Sequence, residues 1–166
     1  MMLIDLSHPF SPEMPVFPGD PKPKFEKVAD FERHGFEDHQ ILFGNHNGTH
    51  IDAPCHIIKG GKRLSDFPLE TFTGKGLLID ARERKSLDAD LLKNVALTPG
   101  MIVLFWTAHD INFPDITYYR EFPVATDALG EALIKAKVKI VGFDTPSPDL
   151  GPFEFHKTML SHDILI

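Results

Sequence analysis

Apolar residues in this chain fall into short blocks, and the spacing within the blocks changes between the two halves. Leu3–Leu6 is an apolar run broken only by Asp5 and reads as a short strand. Phe25–Ala29 and Asp38–Phe43 have strand character, with His34-Gly35 as the turn between them. Lys75–Ala81, Met101–Thr107 and Lys139–Phe143 are apolar runs of buried-strand length. The clearest helical period covers Thr126–Lys137, where Leu129, Ala132, Leu133 and Ala136 form one stripe and Thr126 is a candidate cap. Asp88–Val95 reads as a short helix capped by Asp88 or Ser86. Phe155–Leu160 reads as a helical turn, and Asp163–Ile166 as the start of a strand.

The segments between these blocks are equally informative. Ser7–Pro23 carries Pro9, Pro12, Pro15, Pro18, Pro21 and Pro23, which rules out a helix and predicts an ordered extended loop. Phe10, Met14, Val16 and Phe17 within it predict that the loop packs against another part of the molecule. Lys59-Gly60-Gly61-Lys62 has the composition of a mobile turn. No repeat, linker or low-complexity tract divides the chain. A β-rich first half followed by alternating helix and strand predicts one mixed α/β domain over residues 1–166, built on a sheet or partial barrel.

Composition narrows the function. The net charge is −7 and no Lys/Arg-rich patch is present, which argues against nucleic acid or an anionic membrane as a partner. No apolar run reaches membrane-spanning length, and Met1–His8 lacks the basic-then-apolar order of a secretory leader. Cys55 is the only cysteine, so no intrachain disulfide forms, and a cytoplasmic location is expected. The sequence parity of Cys55 is opposite to that of His50 and Asp52, which predicts that the thiol faces the core.

The chemistry is concentrated in His46-Asn-Gly-Thr-His50-Ile-Asp52-Ala-Pro-Cys-His56. Three imidazoles and a carboxylate within eleven residues are the usual donors for a borderline divalent metal such as zinc or manganese. The spacing of His46 and His50 is helical, but Asn47-Gly48, the β-branched Thr49 and Ile51, and Ala53-Pro54 all oppose a helix. A turn carrying His46 is therefore expected, then a short strand presenting His50 and Asp52 on one face, with His56 delivered beyond Pro54.

These residues resemble the signature of the cyclase family, a metal-dependent group that includes bacterial kynurenine formamidases and isatin hydrolases. Asp5-Leu-Ser-His8, Met14–Pro21, Thr107, Asp127-Ala128 and Gly142–Ser147 resemble other parts of the family in the same order. The resemblance implies a swivelling β/β/α fold, a homodimer or homotetramer, and hydrolysis of a small-molecule amide, lactam or ester at a centre of one or two metal ions. Zinc is expected, with manganese as the alternative. By match of position, His46, His50 and Asp52 would be metal ligands, with Asp52 able to bridge two ions. His156 would be a further ligand from the C-terminal region, and His56 the acid/base residue. A family glutamate ligand belongs about a dozen residues after His156, past Ile166. The family's C-terminal segment is thus expected to be missing from residues 1–166, which leaves a non-catalytic metal-binding protein as an alternative.

An arylformamide substrate needs an apolar slot. Phe17, Trp106 and Phe113 are candidate liners; core packing is the expected role of each, and Phe17 is the strongest candidate of the three. Asp144 and Ser147 are candidates to orient the ligand imidazoles. His8 is expected to be structural, and His34, His39, His109 and His162 to be surface imidazoles.

Overall fold

The computed structural model describes residues 3–166; Met1 and Met2, the start of the stretch read for a leader, lie outside the described residues. An antiparallel hairpin comes first, β1 (Lys24–Ala29) against β2 (Asp38–Leu42), with a register shift between Lys27 and Ala29. The expected His34-Gly35 turn is the end of a one-turn helix, α1 (Phe31–His34). Asp30 caps it through the Arg33 N–H, and Gly35 closes it at φ 75°.

The remaining elements follow as β3 (Gly76–Asp80), β4 (Ser86–Leu87), β5 (Ile102–Trp106), β6 (Val124–Ala125), α2 (Asp127–Ala136), β7 (Ile140–Phe143) and α3 (Glu154–Ser161). Three of the strands form a parallel sheet in the order β3-β5-β7, and β4 pairs with β6 in parallel. Among the described residues the sheets do not close into a barrel. Alternation within β5 sends Val103 and Phe105 into a core shared with Ile79, Val141, Leu129 and Leu133 of α2, and Phe155 and Met159 of α3. The predicted stripe of α2 supplies that core, and Thr126 caps the helix through the Leu129 N–H.

Some local expectations are corrected. Leu3–Leu6 is irregular and exposed, with no strand beside it among the described residues. The segment beginning at Asp88 forms only a 3-10 turn, Ala89–Leu92. The turn expected at Phe155–Leu160 is an eight-residue helix. Asp163–Ile166 contributes a single parallel bridge, Leu165 beside Ile140, instead of a strand. The proline-rich loop does pack. Met14 joins Phe113 and Tyr118 in a second small core, and the Tyr119 hydroxyl donates to the Pro15 carbonyl. His8 stacks on Phe113 with centroids 3.8 Å apart, the structural role expected of it. His109 is no surface imidazole: its Nε2–H donates to the Tyr118 carbonyl. Among the described residues no helix is long and apolar enough to cross a membrane.

Candidate metal centre

The cluster segment is shaped by a turn, an anchor and a proline. The Gly44 N–H donates to Asn47 Oδ1 and the Asn47 N–H to the Gly44 carbonyl, closing the turn that carries His46. Gly48 sits at φ 71°, and a Cβ there would lie 3.0 Å from Met14 Cε, so the position suits only glycine. No regular strand follows, contrary to expectation; Ile51–Ala53 is irregular. Asp52 is held instead by a pair of main-chain hydrogen bonds with Ile166, at 2.7 and 3.4 Å. Pro54-Cys55-His56 is one 3-10 turn with proline at its first position, where the missing N–H costs nothing.

The Lys59–Lys62 turn, expected to be mobile, is tied to that 3-10 turn. The Cys55 N–H donates to the Lys62 carbonyl and the Gly61 N–H to the Ile58 carbonyl. A Cβ on Gly61 would fall 2.6 Å from the Pro54 carbonyl carbon. Cys55 is exposed and does not face the core, because this tight turn rotates it away from the position that strand parity assigned.

Five side chains converge. Asp52 is 7% exposed, with His46 Nδ1 2.7 Å and His50 Nε2 3.5 Å from its Oδ1, and His156 Nε2 3.7 Å from its Oδ2. The rings of His46 and His56 lie 3.9 Å apart, and those of His56 and His156 6.0 Å apart. Donor atoms of His46, His50 and Asp52 lie within 4.8 Å of one another, and so do those of Asp52, His56 and His156. Asp52 thus belongs to two triads.

Hydrogen bonds preset two of the imidazoles. His50 Nδ1–H donates to the Gly48 carbonyl at 2.7 Å, which directs Nε2 toward Asp52. His156 Nδ1–H donates to Asp149 Oδ1 at 2.5 Å, and its main-chain N–H donates to Asp149 Oδ2. Asp149 therefore does what was expected of Asp144 or Ser147. Asp144 accepts from Thr107 N–H and Oγ1 instead, while the Ser147 hydroxyl accepts from the Asp149 N–H. The signal for Asp149 was an acid seven residues before a ligand imidazole, in a Ser-Pro-Asp loop.

Burial disfavours ionising Asp52, but the imidazoles of His156 and His50 outweigh it and hold the carboxyl well below its ordinary range. Burial also opposes charge on His156, yet Asp149 and Asp52 prevail and push it up to about 9. His50 is raised for the same reason, Asp52 and the Gly48 carbonyl overcoming burial. His56 moves the other way: burial lowers it, Asp52 opposes that, and the other imidazoles add to the lowering.

The donor set fits a divalent metal. Asp52 Oδ1 is fully buried without a hydrogen-bond partner among the described residues, with His46 Nδ1 2.7 Å away. A buried, ionised oxygen facing imidazole nitrogens is what a cation would complete. A cleft of about 540 Å³ opens beside the cluster, with His46, His56, Asn45, Cys55, Arg63 and Ser65 among its walls. Phe17 does not line it; its ring packs edge-on to Tyr119. Trp106 lies under the Arg82 guanidinium and Phe113 is buried, in keeping with packing roles.

Known proteins are similar to this chain in sequence and fold. The Cyclase family pattern matches residues 4–150. A kynurenine formamidase of Salinibacter ruber is 30% identical over 155 residues, 90% of this chain and 71% of that protein. A solved structure from Bacillus stearothermophilus, called a "predicted metal-dependent hydrolase", superposes with a TM-score of 0.80 at 25% identity, covering 98% of this chain and 79% of the other. Isatin hydrolase A of Labrenzia aggregata shares the fold, with a TM-score of 0.83 at 20% identity over 98% of this chain and 77% of the other. With the family signature, the fold and the converged donor set in agreement, this chain belongs to the Cyclase family and is a metal-dependent hydrolase.

Proposed function

We propose that this chain hydrolyses an arylformamide, with N-formylkynurenine as substrate, at a divalent-metal centre built on Asp52. The observation that carries this reading is the convergence of His46, His50, His56 and His156 on a buried carboxylate at the edge of a cleft. The kynurenine formamidase similarity supports the substrate. His46, His50 and Asp52 would hold one ion, and Asp52 with His156 a second; nitrogen and oxygen donors favour zinc, then manganese. Such an ion supplies a Lewis acid toward the amide carbonyl and makes water more acidic.

The chain's own groups do the rest. His50 and His156 keep their Nε2 atoms directed inward because their Nδ1–H groups are committed to Gly48 and Asp149, so that an ion would take the place of the Nε2 proton. His56 lines the cleft, and its lowered pKa leaves it neutral at pH 7. It can then take a proton from attacking water and return it to the leaving nitrogen. Ile51, Ala53 and Leu64 give the same cleft an apolar portion for an aryl ring.

The test uses protein loaded with zinc or manganese and offered N-formylkynurenine and isatin side by side. Kynurenine release is the expected outcome. His56→Ala keeps its metal and loses turnover by about 100-fold or more, whereas His50→Ala loses metal. Hydrolysis of isatin alone would move the substrate to a cyclic amide. Bound metal with no turnover of either would make this a non-catalytic metal-binding protein. We further propose a homodimer or homotetramer, a reading supported by the apolar side chains exposed along residues 3–6 and on β2.

A further inference from the structure

The wall of the cleft contains one arginine and no lysine among the described residues, and that arginine, Arg63, is held in place by its main chain. Gly61 packs against the Pro54 carbonyl closely enough to exclude a Cβ. The Lys62 carbonyl accepts from Cys55, and the Lys62 ammonium pairs with Asp163. The Arg63 N–H donates to Asp66 Oδ2 at 2.8 Å, and its carbonyl accepts from the Asp66 N–H at 3.0 Å. Asp66 thus uses its carboxylate on the backbone and leaves the guanidinium alone. Arg82 and Arg84 are each paired with an aspartate, but Arg63 pairs with no carboxylate among the described residues.

An exposed, unpaired guanidinium on an anchored main chain, in the wall of a cleft that also contains His46 and His56, can reach and recognise an anion. The chain as a whole carries −7, so no general positive field explains anion attraction there. Asn45 and Ser65 add hydrogen-bonding groups to the same walls. We propose that Arg63 determines substrate choice by binding a carboxylate on the amide substrate, away from the bond that breaks. The inference rests on the hydrolase reading above and adds the residue that recognises the anionic group of the substrate.

The test compares N-formylkynurenine with N-formylkynuramine, which differs only in lacking the carboxylate. Arg63→Gln should raise KM for the first by about tenfold, the scale of a charged hydrogen bond partly open to water. Its kcat should stay within about twofold, and KM for the second should not move. Arg63→Lys should restore part of the loss. Metal content should equal that of the wild type, which shows the centre is intact. Equal changes on both substrates, or none on either, would overturn the proposal. Calorimetry with kynurenine and kynuramine on the zinc-loaded protein provides a readout independent of turnover. Should neither amide be hydrolysed, the hydrolase reading fails and calorimetry alone decides Arg63. Kynurenine bound more weakly by Arg63→Gln, with kynuramine unaffected, sustains the proposal; kynurenine bound equally, or not bound by the wild type, overturns it.

Discussion

Asp52 is an ionised carboxylate with almost no access to solvent, a state that needs nearby positive charge. Without metal, the imidazoles supply that charge, and Asp149 supports a charged His156 from the far side. The consequence can be measured on metal-free protein. The folded pKa of His156, about 9, lies above the unfolded value of about 6.5. Its contribution to stability is therefore full below about pH 6.5 and is lost as pH rises through about 9. In chelator, the melting midpoint should fall across that window, and Asp149→Asn should flatten the decline. A midpoint independent of pH there would show that the Asp149 contact does not hold a charged His156. Bound metal should remove the effect, since it replaces the proton.

At the scale of elements, the centre depends on short irregular pieces fastened to regular ones. The 3-10 turn at Pro54–His56 has no side-chain cap, and the Gly60-Gly61 turn supports it through backbone contact. Gly61 is not at positive φ, so only space requires glycine there. Gly61→Ala should push the two turns apart. The expected cost is about 2 kcal/mol of stability, typical of an overpacked site, and a midpoint roughly 5 °C lower for a chain of this size. Turnover should fall with it, because the same turn carries His56 and fixes Arg63. Thermal melts and kinetics on the one variant check both parts; a wild-type midpoint would mean that the contact relaxes freely. On the far side of the cluster, α3 carries His156, while Leu165 and Ile166 tie Asp52 to β7.

Across the whole molecule, burial is uneven. The β3-β5-β7 sheet and the α2–α3 pair enclose a dense core, whereas every residue of β2 is exposed and Leu3, Ile4 and Leu6 are 85%, 67% and 73% exposed. Apolar side chains exposed on these two segments support the proposed homodimer or homotetramer. Light scattering coupled to gel filtration should give a mass two or four times that of the 18.7 kDa chain. Leu42→Lys with Ile41→Lys on β2 should shift the distribution toward monomer, while a monomeric wild type would remove the assembly proposal.

The sequence determined the central layer by itself. The runs at 75–81, 101–107 and 139–143 and the stripe of 126–137 are local patterns, and burial of one face leaves them a single register. It also determined four members of the donor set, because His46, His50, Asp52 and His56 are close enough in the chain to be read as one group, whereas His156 came from the family resemblance alone. Tertiary structure decided what depends on partners distant in sequence. Ile166 holds Asp52 without a strand, and a tight turn exposes Cys55 against its parity. Asp149 was chosen over Asp144 because α3 aims His156 at it, and Arg63 was placed at the cleft by a glycine packed on a proline. Periodicity reports which face of an element is buried. It does not report which irregular segment will meet another, because those contacts are set by hydrogen bonds and close approaches that exist only once the chain has folded.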